Sequence, residues 1–111
     1  MSDCLFCRII GGEVPSARIH EDDLAVVIKD IHPKAPVHLL VIPRVHIESL
    51  EEIGSVDDHL VAHLLRLLPL LAQKQGLIDG FRTIINTGHG GGQEIFHLHV
   101  HLLGGGRLPG F

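Results

Sequence analysis

Apolar positions along this chain fall into several short runs, the last of which alternates with a period of two, and one long run with a period near 3.6. The short runs are Ala17 to His20, Leu24 to Lys29, Val37 to Ile42, Phe81 to Asn86 and Glu94 to Leu103, and each is predicted as a strand. Glu21-Asp22-Asp23 separates the first two, and a loop containing Pro33 and Pro36 separates the second from the third. From Val56 to Gln75, Leu60, Val61, Leu64, Leu65, Leu68 and Leu71 recur at helical spacing. Ser55, with Asp58 three positions on, forms a capping box at the start of this run. Leu67 and Leu70 widen the apolar face, which fits either a deeply buried helix or one that self-associates. Pro69 removes a backbone donor and crowds the carbonyl of Leu65, so a bend or a break is expected there. A shorter helix is predicted through Cys4 to Ile10, capped by Asp3 and ended by Gly11 and Gly12. Five strands in hairpin-like order with one long and one short helix predict an α+β fold built on an antiparallel sheet.

A length of 111 residues predicts a single domain over 1–111, and 45% apolar residues suffice for one core. The apolar runs are far shorter than the ~20 residues a membrane span needs. The N-terminal residues MSDCLFCRII have neither the basic region nor the cleavage site of an export signal. A soluble, unprocessed cytoplasmic protein is expected. Net charge is −4 and the nine Lys and Arg are scattered, which argues against a polynucleotide partner and leaves a mononucleotide open.

Ten histidines stand against four aromatics, all Phe. Imidazole is a neutral nucleophile, a proton carrier near pH 7 and a metal ligand, so the placement of the ten matters most. Phe96 to Leu103 alternates strictly. On a strand, His97, His99 and His101 would share one face, with Leu98, Val100 and Leu102 on the other and successive rings about 6.5 to 7 Å apart. A solvent face seldom carries three titratable rings in register. Cys4 and Cys7, spaced C-x-x-C, suit a metal or redox role better than a structural disulfide in a cytosolic chain.

The run His97-Leu98-His99-Val100-His101-Leu102-Leu103 resembles the signature of the histidine-triad (HIT) family. The likeness extends to Asp30-Ile31-His32-Pro33-Lys34-Ala35-Pro36-Val37-His38 and to Val41-Ile42-Pro43-Arg44-Val45-His46. Gly91-Gly92-Gln93 before the triad and Leu103-Gly104-Gly105 after it are similar to the Hint branch, the histidine-triad nucleotide-binding proteins. The resemblance runs from Leu5 to Arg107 and implies a HIT-like fold whose sheet continues across a homodimer. It also implies a purine nucleoside phosphoramidase-type hydrolase, acting on AMP or GMP derivatives and releasing a nucleoside monophosphate through a nucleotidyl-histidine. On this reading His99 is the nucleophile, oriented by the carbonyl of His97, while His101 holds the phosphate oxygens and His38 relays a proton.

The same resemblance places Phe6, Ile9, Val14, Ile31 and Leu40 around the base, Asp30 on the ribose and Asn86 near the phosphate, on the strand beside the triad. Each of the apolar five is equally explained as core. Backbone donors of Gly92, Gln93 and Glu94 are expected at the phosphate. Glu94 stands where many members have serine, and a carboxylate there would repel phosphate oxygens, so the serine's role is not transferred to it. For the cysteine pair, His46 and His97 complete a candidate structural zinc site. The other readings are two reduced cysteines at a helix start, one of them buried as a small hydrophobe, or a redox pair. Competing functions are dinucleoside polyphosphate hydrolysis, a non-catalytic nucleotide-sensing or partner-binding module, and histidine-rich metal handling.

Overall fold

A computed structural model describes residues 3–110. The elements are α1 (Leu5–Ile10), β1 (Arg18–Glu21), β2 (Ala25–Lys29), β3 (Val37–Pro43), α2 (Asp58–Lys74), β4 (Arg82–Ile84) and β5 (Val100–Gly104). The strands form one five-stranded antiparallel sheet in the order β1-β2-β3-β5-β4, so the expected α+β class and antiparallel sheet are observed. Among the described residues, no helix is long and apolar enough to cross a membrane.

Strand register divides the core in two. Directly paired residues share a face, and the pairs Val27 with Val41, Leu39 with Leu102, and Val41 with Val100 place one apolar set together. With Ala25 and Leu98, this set packs against Leu60, Leu64, Leu67, Leu68 and Leu71 of α2. The other face carries Val26, Ile28, Leu40 and Ile42, covered over part of its width by Phe6 and Ile9 of α1. Because Leu40 pairs with His101 and His38 with Leu103, the histidines extend this second face beyond α1. The central strands are apolar on both sides for this reason, and their sequences read as continuous runs. Gly104 ends β5 where an added Cβ would lie 2.8 Å from Leu77 Cδ1, so the small residue admits the leucine.

Several boundaries differ from expectation. Cys4, not Asp3, caps α1, its sulfur accepting from Cys7 N. A 3-10 turn at Ser55–Asp57 precedes α2, and the capping contact falls one residue early: Asp57 Oδ2 accepts from Gly54 N at 3.0 Å, replacing the expected Ser55–Asp58 box. The helix continues through Pro69. Pro69 and Leu65 both face solvent there, where water can satisfy the freed carbonyl. Leu67 is buried while Leu65 and Leu70 are about half exposed, so the wide face is only partly core.

The last strand is shorter than Glu94 to Leu103. Its partner β3 ends at Pro43, which has no N–H to extend the ladder, and Leu98 N donates instead to Ile47 O at 2.7 Å. Strand β4 stops at Ile84, which puts Asn86 beyond the strand that was expected to carry it.

A carboxylate outside the histidine face ties the sheet to α2. Asp22 Oδ2 accepts from His20 Nε2 at 2.7 Å and from His63 Nε2 at 2.8 Å, while Oδ1 accepts from Leu24 N and Ala25 N. Burial alone would raise the Asp22 pKa, but these four hydrogen bonds outweigh it and hold the carboxyl far below 3.8. The group therefore stays ionised, and its contribution is lost only in strong acid, as pH falls through that depressed value. Asp22→Asn is expected to cost about 1.5 to 3 kcal/mol. Urea unfolding at pH 7 should show a lower midpoint with unchanged slope, and the gap from wild type should persist at pH 5.

Candidate active site

The three triad histidines face one way, as alternation predicts, although only His101 lies within a strand. His97 and His99 sit on the extended segment before β5. Three rings, His97, His99 and His38, meet a main-chain partner that can only donate or only accept, which assigns the proton, and His101 follows from His38. His97 Nε2 lies 2.8 Å from Pro43 O; a carbonyl only accepts, so the proton is on Nε2 and Nδ1 is bare. His99 Nδ1 lies 2.7 Å from His97 O, so Nδ1 carries the proton and Nε2 keeps its lone pair. Lys34 N donates to His38 Nδ1 at 3.0 Å, which leaves the His38 proton on Nε2. That nitrogen is 2.9 Å from His101 Nδ1 and donates to it, so the His101 proton is on Nε2. The face thus presents one lone pair, on His99, beside one N–H, on His101.

Burial lowers the pKa of His97, His99 and His38 from 6.5, against the opposing pull of the Pro43 carbonyl, the His97 carbonyl and Asp30 respectively. The Phe6 ring meets His97 and His99 edge-on at centroid distances of 5.9 and 5.0 Å, which dries one side of the His99 ring. Asp30 Oδ2 stands 3.4 Å from His38 Nε2, and its Oδ1 accepts from His32 N.

At the other end of the segment, Cys4 Sγ, Cys7 Sγ, His46 Nδ1 and His97 Nδ1 converge, all within 4.8 Å of one another. His97 Nδ1 is 3.3 Å from Cys4 Sγ, 3.6 Å from Cys7 Sγ and 3.1 Å from His46 Nδ1, and Cys7 Sγ is 3.4 Å from His46 Nδ1. Bonds of about 2.0 to 2.3 Å to one tetrahedral ion imply donor separations of about 3.3 to 3.8 Å. Four donors of this kind at these spacings could hold a divalent metal, with the Pro43 carbonyl fixing the His97 tautomer from behind.

The nucleoside expectations divide. Phe6, Ile9 and Leu40 are buried in the second core cluster, and Val14 packs at its edge. Ile31 is 86% exposed. Asn86 Nδ2 donates to Gly91 O at 2.8 Å and so holds the glycine turn. The N–H groups of Gly92 and Gln93 are engaged by His89 O and Gly88 O inside that turn and do not face outward as expected. The Gln93 side chain is buried against main-chain atoms. Glu94 is exposed, lining a cleft of about 470 Å³ with Asp3, Cys4, Leu5, His46, Ile95 and Phe96.

Sequence reasoning missed the Pro43 carbonyl and the Lys34 N–H, because main-chain partners leave no mark in residue type. It also missed the His20–Asp22–His63 cluster, in which Asp22 and His63 are 41 positions apart.

Comparison with known proteins agrees with this geometry. The family model described as "Scavenger mRNA decapping enzyme C-term binding" matches residues 3–107. Protein HitA of Neisseria gonorrhoeae is 47% identical over 104 residues, covering 94% of this chain and 97% of that protein. The purine nucleoside phosphoramidase of Escherichia coli K12 is 36% identical over 107 residues, covering 96% and 90%. The crystal structure of a HIT family hydrolase from Legionella pneumophila superposes with a TM-score of 0.94 at 42% identity, covering 96% of each chain. Signature, sheet order and relatives coincide, and the chain belongs to the histidine-triad family.

Proposed function

We propose that this protein is a nucleotide hydrolase of the purine nucleoside phosphoramidase type, working through a nucleotidyl-histidine on His99. The observation that carries the reading is the 2.7 Å contact of His99 Nδ1 with His97 O, which leaves Nε2 bare toward the open face. The name of the Escherichia coli relative supports the substrate class. In the first step, the His99 Nε2 lone pair forms a bond to phosphorus while the P–N bond to the leaving group breaks. The leaving nitrogen takes the proton on His101 Nε2 and departs as a neutral amine. His38 shares its Nε2 proton with His101 as that ring gives up its own, and the His97 carbonyl stabilises the positive charge appearing on His99. In the second step, water attacks phosphorus, the P–N bond to His99 breaks, and the proton lost by water restores His101. Asp30 receives the ribose hydroxyls at the rim, while Phe6, Ile9 and Leu40 form an apolar floor with Val14 and Ile31 beside it.

Zinc held by Cys4, Cys7, His46 and His97 serves structure, cross-linking α1, the loop after β3 and the histidine segment; when bound it supplies rigidity and takes no part in bond making. A second copy of the chain pairs along the edge strand β4, near the exposed Phe81 and Ile78.

Mass spectrometry of protein quenched while turning over an aminoalkyl adenosine phosphoramidate should find an adenylyl group on His99. His99→Ala should lower kcat on the order of 10⁴-fold, and full activity in that variant would sink the reading. Cys7→Ser should lower bound zinc and reduce Tm by at least about 5 °C, read by metal analysis and thermal unfolding. Burial, then the neighbouring His99 and His38, lowers the His101 pKa from 6.5 to about 4. An unfolded chain takes this proton near 6.5, so stability tied to His101 is present above that pH and is lost as pH falls toward 4. NMR titration should show the His101 ring neutral down to pH 5, and His101→Gln should flatten the acid side of the stability curve.

A further inference from the structure

The histidine segment poses a positioning problem that the sheet does not solve. His99 depends on where the His97 carbonyl stands, yet residues 94–99 lie outside every strand ladder. Leu98 N, bonded to Ile47 O at 2.7 Å, ties the middle of the segment to the loop after β3. The beginning of the segment is gripped by one side chain. Gln93 is 4% exposed. Its Oε1 accepts from Gly88 N at 2.9 Å, and its Nε2 donates to Glu48 O at 2.7 Å and Ile95 O at 3.0 Å. All three partners are main chain, and both amide protons are used, so no donor remains for a ligand. Glu48 O and Ile47 O are successive carbonyls, which means Gln93 and Leu98 hold the same loop from either side of His97.

We propose that Gln93 is a positioning residue for the nucleophile: it fixes the His97 carbonyl, and through it the proton on His99 Nδ1, without touching the nucleotide. The functional part of this inference rests on the proposed role of His99; the effect on the proton does not. An imidazole released from the carbonyl is free to carry its proton on Nε2, where it blocks the lone pair that attacks phosphorus. The neutral amide suits this place because two carbonyls need donors and one N–H needs an acceptor. A carboxylate of the same length would set negative oxygen against Glu48 O and Ile95 O.

The test is long-range ¹H–¹⁵N NMR of histidine-labelled protein, wild type against Gln93→Met, with kcat and KM measured on an aminoalkyl adenosine phosphoramidate. Wild-type His99 should show one neutral tautomer with the proton on Nδ1. In Gln93→Met a share of the proton should appear on Nε2, with kcat about 10²-fold lower and KM within about threefold of wild type. Gln93→Glu is the second variant, in case the methionine chain folds poorly. Its tautomer ratio should move toward wild type as acid protonates the carboxyl and restores one donor. An unchanged tautomer in a folded variant would overturn the proposal, as would a rise in KM with kcat preserved, which would make Gln93 a substrate contact. A shifted tautomer in a protein that never turns over the phosphoramidate would leave Gln93 its role and remove the hydrolase reading instead.

Discussion

The hydrogen bond from His99 Nδ1 to the carbonyl of His97 is the contact around which the structure is organised. It needs His97 to be immobile, and His97 is fully buried, with Nε2 on Pro43 O and Nδ1 against two sulfurs and a third ring. A carbonyl carried by so confined a residue cannot follow the motion of the ring it orients. Desolvation of His99 then costs little, because the neutral imidazole is satisfied on one nitrogen and needs no second proton.

The sheet makes this arrangement compatible with stability by separating its two faces. One face buries an unbroken set of leucines and valines under α2, each worth about 1.5 to 3 kcal/mol when fully covered. The opposite face is covered only in part by α1, and the histidines lie along it, buried at His97 and His99 and more open at His101. Since one strand feeds both faces, Leu98, Val100 and Leu102 anchor the same backbone from which His97, His99 and His101 project. Packing on one side therefore holds the histidine rings in place on the other.

Much of this could be read in the sequence. Alternation from Phe96 to Leu103 gave the correct facing of three rings, and the C-x-x-C spacing with two distant histidines gave a group that converges in space. Strand ends were less legible, because they depend on what the neighbouring strand can offer. Pro43 truncates β5 from the other side of the ladder, and nothing within residues 94–99 records it. Residue type also gave no sign that the Asn86 side chain holds the glycine turn, or that the Gln93 side chain serves the local backbone. The buried apolar residues Phe6, Ile9 and Leu40 stay compatible with two readings, since a packed core and a pocket floor use the same surface.

The proton pattern of the histidine face is written almost entirely by main-chain atoms: Pro43 O, His97 O and Lys34 N. Those atoms are present whatever side chain the position carries, and side chains such as His97 and Gln93 decide only where they stand. The tautomers therefore tolerate sequence change wherever the path of the backbone is kept, and the rest of the surroundings is free to diverge in charge and shape. The side chains around the face can then change over evolutionary time while the polarity of the His99 ring stays constant, because one is encoded in residue type and the other in the path of the backbone.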